Sequence, residues 1–222
     1  MAHTRHSPFD EQTGGGFTDA GTGLQLPPWE RRQRYGFLNA LYLTIKDVLL
    51  APGRFFRQMP SAIGLREPLL FAIVVGAVAT FLAWLWAMTG STLQVFLHND
   101  LGHVLRGPFY AFATFVFSPL LVAVSTFIQA GIIHLLLMLL DGNRLGFEAT
   151  FRVCAYAVAA DLLVAIPFCG NGVAFIWSAV ILIIGITNIH QTEPWKAVVA
   201  VVLPLLLCVG VLGGGMLMLV SS

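Results

Sequence analysis

Long apolar stretches, separated only by short polar clusters, dominate the chain from Lys46 to Ser222. Of the 222 residues, 57% are hydrophobic and only 10% are charged, whereas about a quarter of the residues in an ordinary soluble domain are charged. A soluble core of this size would need a polar shell, and this composition does not supply one. We therefore predict an all-α, polytopic integral membrane protein that lies in the lipid bilayer.

Five stretches are long and apolar enough to cross the hydrocarbon core, which takes about 20 helical residues. They lie near residues 69–88, 115–140, 151–168, 173–189 and 198–220. The second stretch extends back to Phe109, and a continuous helix from there to Leu140 would be about 48 Å long. Two separate crossings would each be too short, so one long helix with a kink at Pro119 is favoured. Whether residues 109–117 lie in the interface or belong to the second span stays open.

The basic residues predict the orientation of this five-helix bundle, because Lys and Arg are retained on the cytoplasmic side. With a cytoplasmic N-terminus, eleven of the twelve Lys and Arg residues lie on that side and only Arg106 lies on the other. We therefore predict an N-terminus in the cytoplasm and a C-terminus on the opposite side. The short tail and short loops fit a bacterial inner membrane, and they are also compatible with a Golgi-type membrane.

Two segments precede the first span. Residues 1–35 are rich in glycine, proline and polar residues, and we predict a disordered cytoplasmic tail there. Residues 36–51 carry apolar side chains at helical spacing, which indicates an amphipathic helix at the cytoplasmic interface. This helix should end before Pro52, because proline disfavours helical geometry in the preceding residue.

Two aromatic and two basic residues follow this helix. Arg54 and Arg57 flank Phe55 and Phe56, a pattern that favours insertion of the rings beside anionic lipid headgroups. These four residues are candidate contacts for lipid or for a soluble partner. The alternative is an anchor that only orients the first span.

A candidate polar site within the predicted spans consists of Gln129, His134, Tyr156 and Asp161. Gln129 and Asp161 lie about 15 to 18 Å from the cytoplasmic edge, and we expect them to approach each other. Either this group lines a proton or solute pathway, or it forms a packing network between helices. Arg152, near the start of the third span, is expected to extend toward the lipid headgroups.

The sequence contains no serine elbow, no zinc-ligand pair and no phosphate-binding glycine loop. We therefore predict a non-enzymatic protein with no catalytic, cofactor or metal site. A net charge of +1 gives the protein no strong positive field that would attract nucleic acid, and we predict no nucleic-acid partner. Cys154, Cys169 and Cys208 are isolated in apolar sequence, which is typical of buried thiols. Small residues on the third and fifth spans are compatible with a homo-oligomer.

A series of short motifs runs in order from the region before the first span to the start of the last one. It comprises Val48-Leu49, Pro52, Phe55-Phe56, Met59-Pro60, Gly64, Pro68-Leu69, His134, Gly142, Phe147, Thr150-Phe151-Arg152-Val153, Ala155-Tyr156, Ile166-Pro167, Ile176-Trp177, Gly185, His190 and Lys196-Ala197. In this order, and over roughly residues 40–205, the motifs resemble those of the Yip family, the Ypt/Rab-GTPase-interacting proteins and their bacterial relatives.

The resemblance implies a Yip-type membrane domain over residues 36–222, with five spans and a cytoplasmic N-terminus. In eukaryotic members it implies a role in membrane trafficking through GTPase binding, whereas transport has been suggested for bacterial members. We predict membrane organisation or recruitment of a cytoplasmic protein partner. The alternative is a small transporter or channel component that uses Asp161, a residue outside the family pattern.

Overall fold

The structure is a computed structural model that describes residues 24–98 and 101–206, and within these ranges it is helical without strands. Residues 1–23 of the predicted tail, the second half of the predicted last span and Cys208 lie outside these ranges. The α-helices are α1 (Arg32–Tyr35), α2 (Phe37–Leu50), α3 (Pro52–Gln58), α4 (Arg66–His98), α5 (Leu101–Leu139), α6 (Gly146–Ala157), α7 (Gly170–His190) and α8 (Pro194–Leu206). Two 3₁₀ helices cover Pro28–Arg31 and Val158–Ala165.

Within the part of the chain that the structure describes, three segments are long and apolar enough to cross a membrane. They are Arg66–Thr89 in α4, Phe112–Leu139 in α5, and the whole of α7, and they correspond to the first, second and fourth predicted spans. The prediction of one long helix in the second span is confirmed, because α5 includes residues 109–117 without a break. The described part of α8 is shorter than a span and ends at Leu206.

The predicted third span differs from a regular helix. The α-helical part, α6, ends at Ala157, and the chain continues as a 3₁₀ helix over Val158–Ala165. The chain then turns tightly into α7, and a Cβ atom on Gly170 would lie 2.6 Å from the carbonyl oxygen of Leu163. Only glycine permits this approach. The segment is therefore not one of the three long apolar helices described above.

Close contacts between the helices depend on two further glycines. A Cβ atom on Gly76 in α4 would lie 2.6 Å from a methyl group of Val122 in α5. A Cβ atom on Gly185 in α7 would lie 2.5 Å from Val153 in α6 and 3.0 Å from the ring of Phe56 in α3. Small residues let helices approach closely, and these contacts join α3, α6 and α7 into one core.

The structure differs from the predicted disordered tail over its last residues. Pro28–Tyr35, here called the strap, folds against the start of α4, and Trp29 in the strap is only 2% exposed. The backbone N–H of Trp29 donates to Thr44 Oγ1 at 2.8 Å, and its indole N–H donates to the carbonyl oxygen of Glu67 at 2.9 Å. Burial of this large ring supplies the stabilisation that a disordered tail would lack.

The strap defines one end of the bundle. At this strap end, α4, α6 and α8 begin, and α5 and α7 end. Gly36, with φ of 80°, separates the strap from α2. The turn between the second 3₁₀ helix and α7 lies at the other end, with Phe168 fully exposed.

Candidate functional site

A buried ion pair joins the strap to the membrane domain. Glu30 in the strap accepts hydrogen bonds from Arg152 Nη2 at 2.5 Å and from the Tyr156 hydroxyl at 2.6 Å. The side chains of Arg152 and Glu30 are 1% and 5% exposed. Arg152 also donates to the carbonyl oxygen of Gly64 at 3.2 Å. A buried guanidinium needs a counter-ion, so Glu30 neutralises a charge that lies 122 residues further along the chain.

A second ion pair holds the strap at its next turn. The Arg32 guanidinium donates to both carboxylate oxygens of Glu67, and it lies 5.1 Å from the centre of the Trp29 ring. The hydrogen bond to Glu67 raises the pKa of Arg32 above its ordinary value. The strap is therefore fastened to α6 through Glu30 and to α4 through Arg32 and Trp29.

The prediction that Arg152 extends to the lipid headgroups is wrong. Its side chain turns inward and is fully buried. The reason is that an acidic partner is available inside the protein, and the pair with Glu30 replaces hydration of the guanidinium. Sequence reasoning missed Glu30 because it lies in the Gly- and Pro-rich region. One signal in the sequence pointed to such a residue: Arg152 lies within an apolar segment, where its guanidinium needs an acidic partner.

His134 belongs to a different polar cluster at the strap end. His134 Nδ1 lies 3.1 Å from Thr150 Oγ1, and Thr150 Oγ1 lies 2.9 Å from His190 Nε2. The cluster therefore links α5, α6 and α7. The backbone N–H of Leu145 points at His190 Nδ1 across 3.4 Å. Because this N–H can only donate, the proton of a neutral His190 lies on Nε2, which donates to Thr150.

Asp161 and Gln129 line one cavity. The cavity has a volume of about 240 Å³ and lies between α5, α6, the second 3₁₀ helix and α7. Three hydroxyl side chains share its wall, those of Ser125, Thr126 and Ser178. The arrangement offers one carboxylate, one amide and hydroxyl groups to a water molecule or a small polar solute.

The four polar residues that were predicted to act together thus lie in three places. Gln129 and Asp161 share the cavity, His134 lies in the cluster with Thr150 and His190, and Tyr156 binds Glu30. The ring of Tyr156 also packs 5.2 Å from that of Phe55 and 5.0 Å from that of Phe71, centre to centre. The four residues therefore do not line a single pathway in this structure.

The structure also differs from the prediction that Phe55 and Phe56 insert into the interface. Phe55 is 8% and Phe56 1% exposed. Phe56 packs on Gly185, and Phe55 packs on Tyr156, because α3 lies against α7 and α6 rather than against the surroundings. Arg54 and Arg57 are exposed. Only the two arginines of this predicted contact group are thus accessible.

Among the side chains that the structure describes, those of residues 24–89 and 112–206, no group of three or more His, Cys, Asp or Glu could hold a metal ion. Cys154 is buried, as predicted, whereas Cys169 is exposed in the turn before α7. Burial of Cys154 follows from its place on α6, whose residues Ala149 to Ala157 are all buried.

Comparison with known protein families identifies a match that covers most of the membrane domain. The Yip1 domain matches residues 46–215, so it includes Arg152, Tyr156 and the polar cavity but not the strap. No curated protein and no solved structure matches the chain. The matched region covers most of the 222 residues and contains the three long apolar helices. The chain is therefore a membrane protein that belongs to the Yip1 domain family.

Proposed function

We propose that this protein is non-enzymatic and recruits a soluble protein with an acidic surface to the cytoplasmic face of the membrane. The observation that carries the proposal is the basic surface at the strap end, where Arg34, Arg54, Arg57, Arg66 and Arg144 are exposed. Complementary charges steer partners and select between them. Two buried or partly buried ion pairs fasten the strap, so this surface has a fixed shape.

The proposal includes five spans and a cytoplasmic strap end. Gly146–Ala157 and Val158–Ala165 together rise about 34 Å, because a 3₁₀ helix rises about 2.0 Å per residue and an α-helix about 1.5 Å. This length matches the hydrocarbon core of about 30 Å. The fifth span would start with α8. The concentration of Lys and Arg at the strap end supports its cytoplasmic location.

The recruiting role is tested by photocrosslinking in living cells. A photoreactive amino acid replaces Arg66 or Arg144 at the strap end, and a matched control replaces Phe168 at the opposite end of the bundle. We expect a discrete adduct with a soluble acidic protein from the first two positions and none from the third. Arg144→Glu should then abolish the adduct at position 66. The absence of any adduct, or equal adducts at both ends, would contradict the proposal.

A second candidate function is transport of a proton or small solute. The polar cavity with Asp161 and Gln129 favours it, because ionisable groups at membrane depth commonly mark such pathways. Under this hypothesis Asp161→Asn abolishes the pH dependence of solute flux in reconstituted vesicles. Asp141→Asn, in the exposed loop after α5, serves as the control and should leave the flux unchanged. Equal fluxes in both variants and the wild type would exclude the role of Asp161.

A further inference from the structure

A small pocket lies between the N-terminal chain and the helices α2 and α3. It has a volume of about 80 Å³, and its polar lining comes from Gln25, Arg31, Asp47, Arg54 and Gln58. The backbone N–H of Gln25 donates to the carbonyl oxygen of Gln58 at 2.7 Å and closes one side. The strap contributes Arg31 to this wall, so the pocket exists because the strap is fastened in place.

The charges in this pocket favour an anion. Arg31 and Arg54 supply two guanidinium groups against the single carboxylate of Asp47. Arg31 Nε is buried without a hydrogen-bond partner among the described residues. Arg54 lies 3.9 Å from Asp47, and its side chain remains 67% exposed. Guanidinium groups with free donors match the oxygen atoms of a phosphoryl group in geometry and charge.

The surroundings of the pocket indicate where the anion would come from. The helix α2, which supplies Asp47, leaves Leu38, Tyr42 and Leu50 at 76%, 61% and 75% exposure. The indole N–H of Trp177 in α7 donates to the carbonyl oxygen of Leu49 at 3.2 Å. The C-terminal end of α2 thus lies against the side of a long apolar helix, and its exposed apolar residues suit the boundary between headgroups and acyl chains.

We propose that this pocket binds the phosphoryl group of an anionic phospholipid, with Arg31 and Arg54 as the donors. The lipid tails would then lie along the exposed apolar side of α2. The pocket shares only Arg54 with the exposed basic surface of the strap end, and its other donor, Arg31, lies outside that surface. Asp47 weakens the site, since its carboxylate competes with the ligand for Arg54.

The test uses the full chain purified in detergent and incubated with equimolar phosphatidylglycerol and phosphatidylcholine. Native mass spectrometry counts the lipids that stay bound. We expect the wild type to retain phosphatidylglycerol in preference to phosphatidylcholine. The double variant Arg31→Gln/Arg54→Gln should lose about tenfold or more of this retention, because each charge-assisted hydrogen bond contributes on that scale. The matched control Arg34→Gln/Arg57→Gln removes the same charge from exposed residues of α1 and α3 and should retain the lipid.

Two further measurements distinguish a specific binding site from a general attraction between opposite charges. Asp47→Asn should increase the retention of phosphatidylglycerol severalfold, a gain that misfolding cannot produce. Equimolar inorganic phosphate should leave the bound lipid unchanged if the ligand is a lipid headgroup. Equal losses in both double variants, no gain in Asp47→Asn, or displacement by inorganic phosphate would each overturn the proposal.

Discussion

Arg152 sits almost fully buried, and its charge depends on a residue from a distant part of the chain. Arg152 Nη2 and the Tyr156 hydroxyl both donate to one carboxylate oxygen of Glu30, at 2.5 and 2.6 Å. Tyr156 could be singled out from the sequence because it is a polar residue in an apolar stretch. Glu30 could not, since hydropathy and spacing describe local structure and carry no information about a contact over 122 residues.

The first prediction concerns this pair. Glu30→Gln keeps the size of the side chain but leaves the guanidinium without its counter-ion. Loss of one partner of a buried pair typically costs about 3 to 5 kcal/mol, and we expect a decrease of that order in the free energy of unfolding. Chemical denaturation in detergent measures it. The exposed control Arg34→Gln should stay within about 0.5 kcal/mol. A similar small effect in Glu30→Gln would contradict the role of the pair.

At the scale of helices, periodicity and length were enough to predict the helices that are formed by continuous apolar stretches. The helix over 36–51 and the long second span are observed as Phe37–Leu50 and within α5. The third predicted span was harder, because hydropathy indicates neither the switch from α-helix to 3₁₀ helix at Val158 nor the tight packing of Gly170 against Leu163. The burial of Phe55 and Phe56 likewise depends on α7, whose Gly185 leaves room for a ring.

The second prediction uses two glycines of the same helix. Gly185→Ala places a methyl group against Val153 and Phe56 and should destabilise the protein by about 1 to 3 kcal/mol through overpacking. Gly172→Ala meets no atom within 4 Å and should be neutral or stabilising by up to about 1 kcal/mol, because alanine favours the helix. Thermal unfolding of both variants measures the contrast. Equal effects would show that the packing at Gly185 is not tight.

At the scale of the whole molecule, composition was enough to predict a helical membrane protein, and the ordered motifs were enough to predict its family. The attachment of the strap was not predictable, because residues 28–35 precede the Yip1 match and look like a flexible tail in composition. The strap nevertheless packs as a part of the membrane domain, and it also shapes the basic surface of the strap end.

The third prediction tests the proposed orientation of the bundle. Cys169 is exposed at the end opposite to the strap. A membrane-impermeant maleimide should therefore label it in intact cells, and Cys169→Ser should remove this label. In that background, Gln191→Cys, in the loop between α7 and α8, should become labelled only after the membrane is permeabilised. The reverse pattern would place the strap end outside the cytoplasm.

Hydrogen–deuterium exchange of the full chain measures directly whether the strap is fastened to the membrane domain through Glu30 and Arg152. We expect the amides of residues 29–35 to be protected in the wild type, including the Trp29 N–H that donates to Thr44. In Glu30→Gln these amides should exchange faster, while those of α7 remain protected. Wild-type strap amides that exchange as fast as an unstructured peptide would contradict the account.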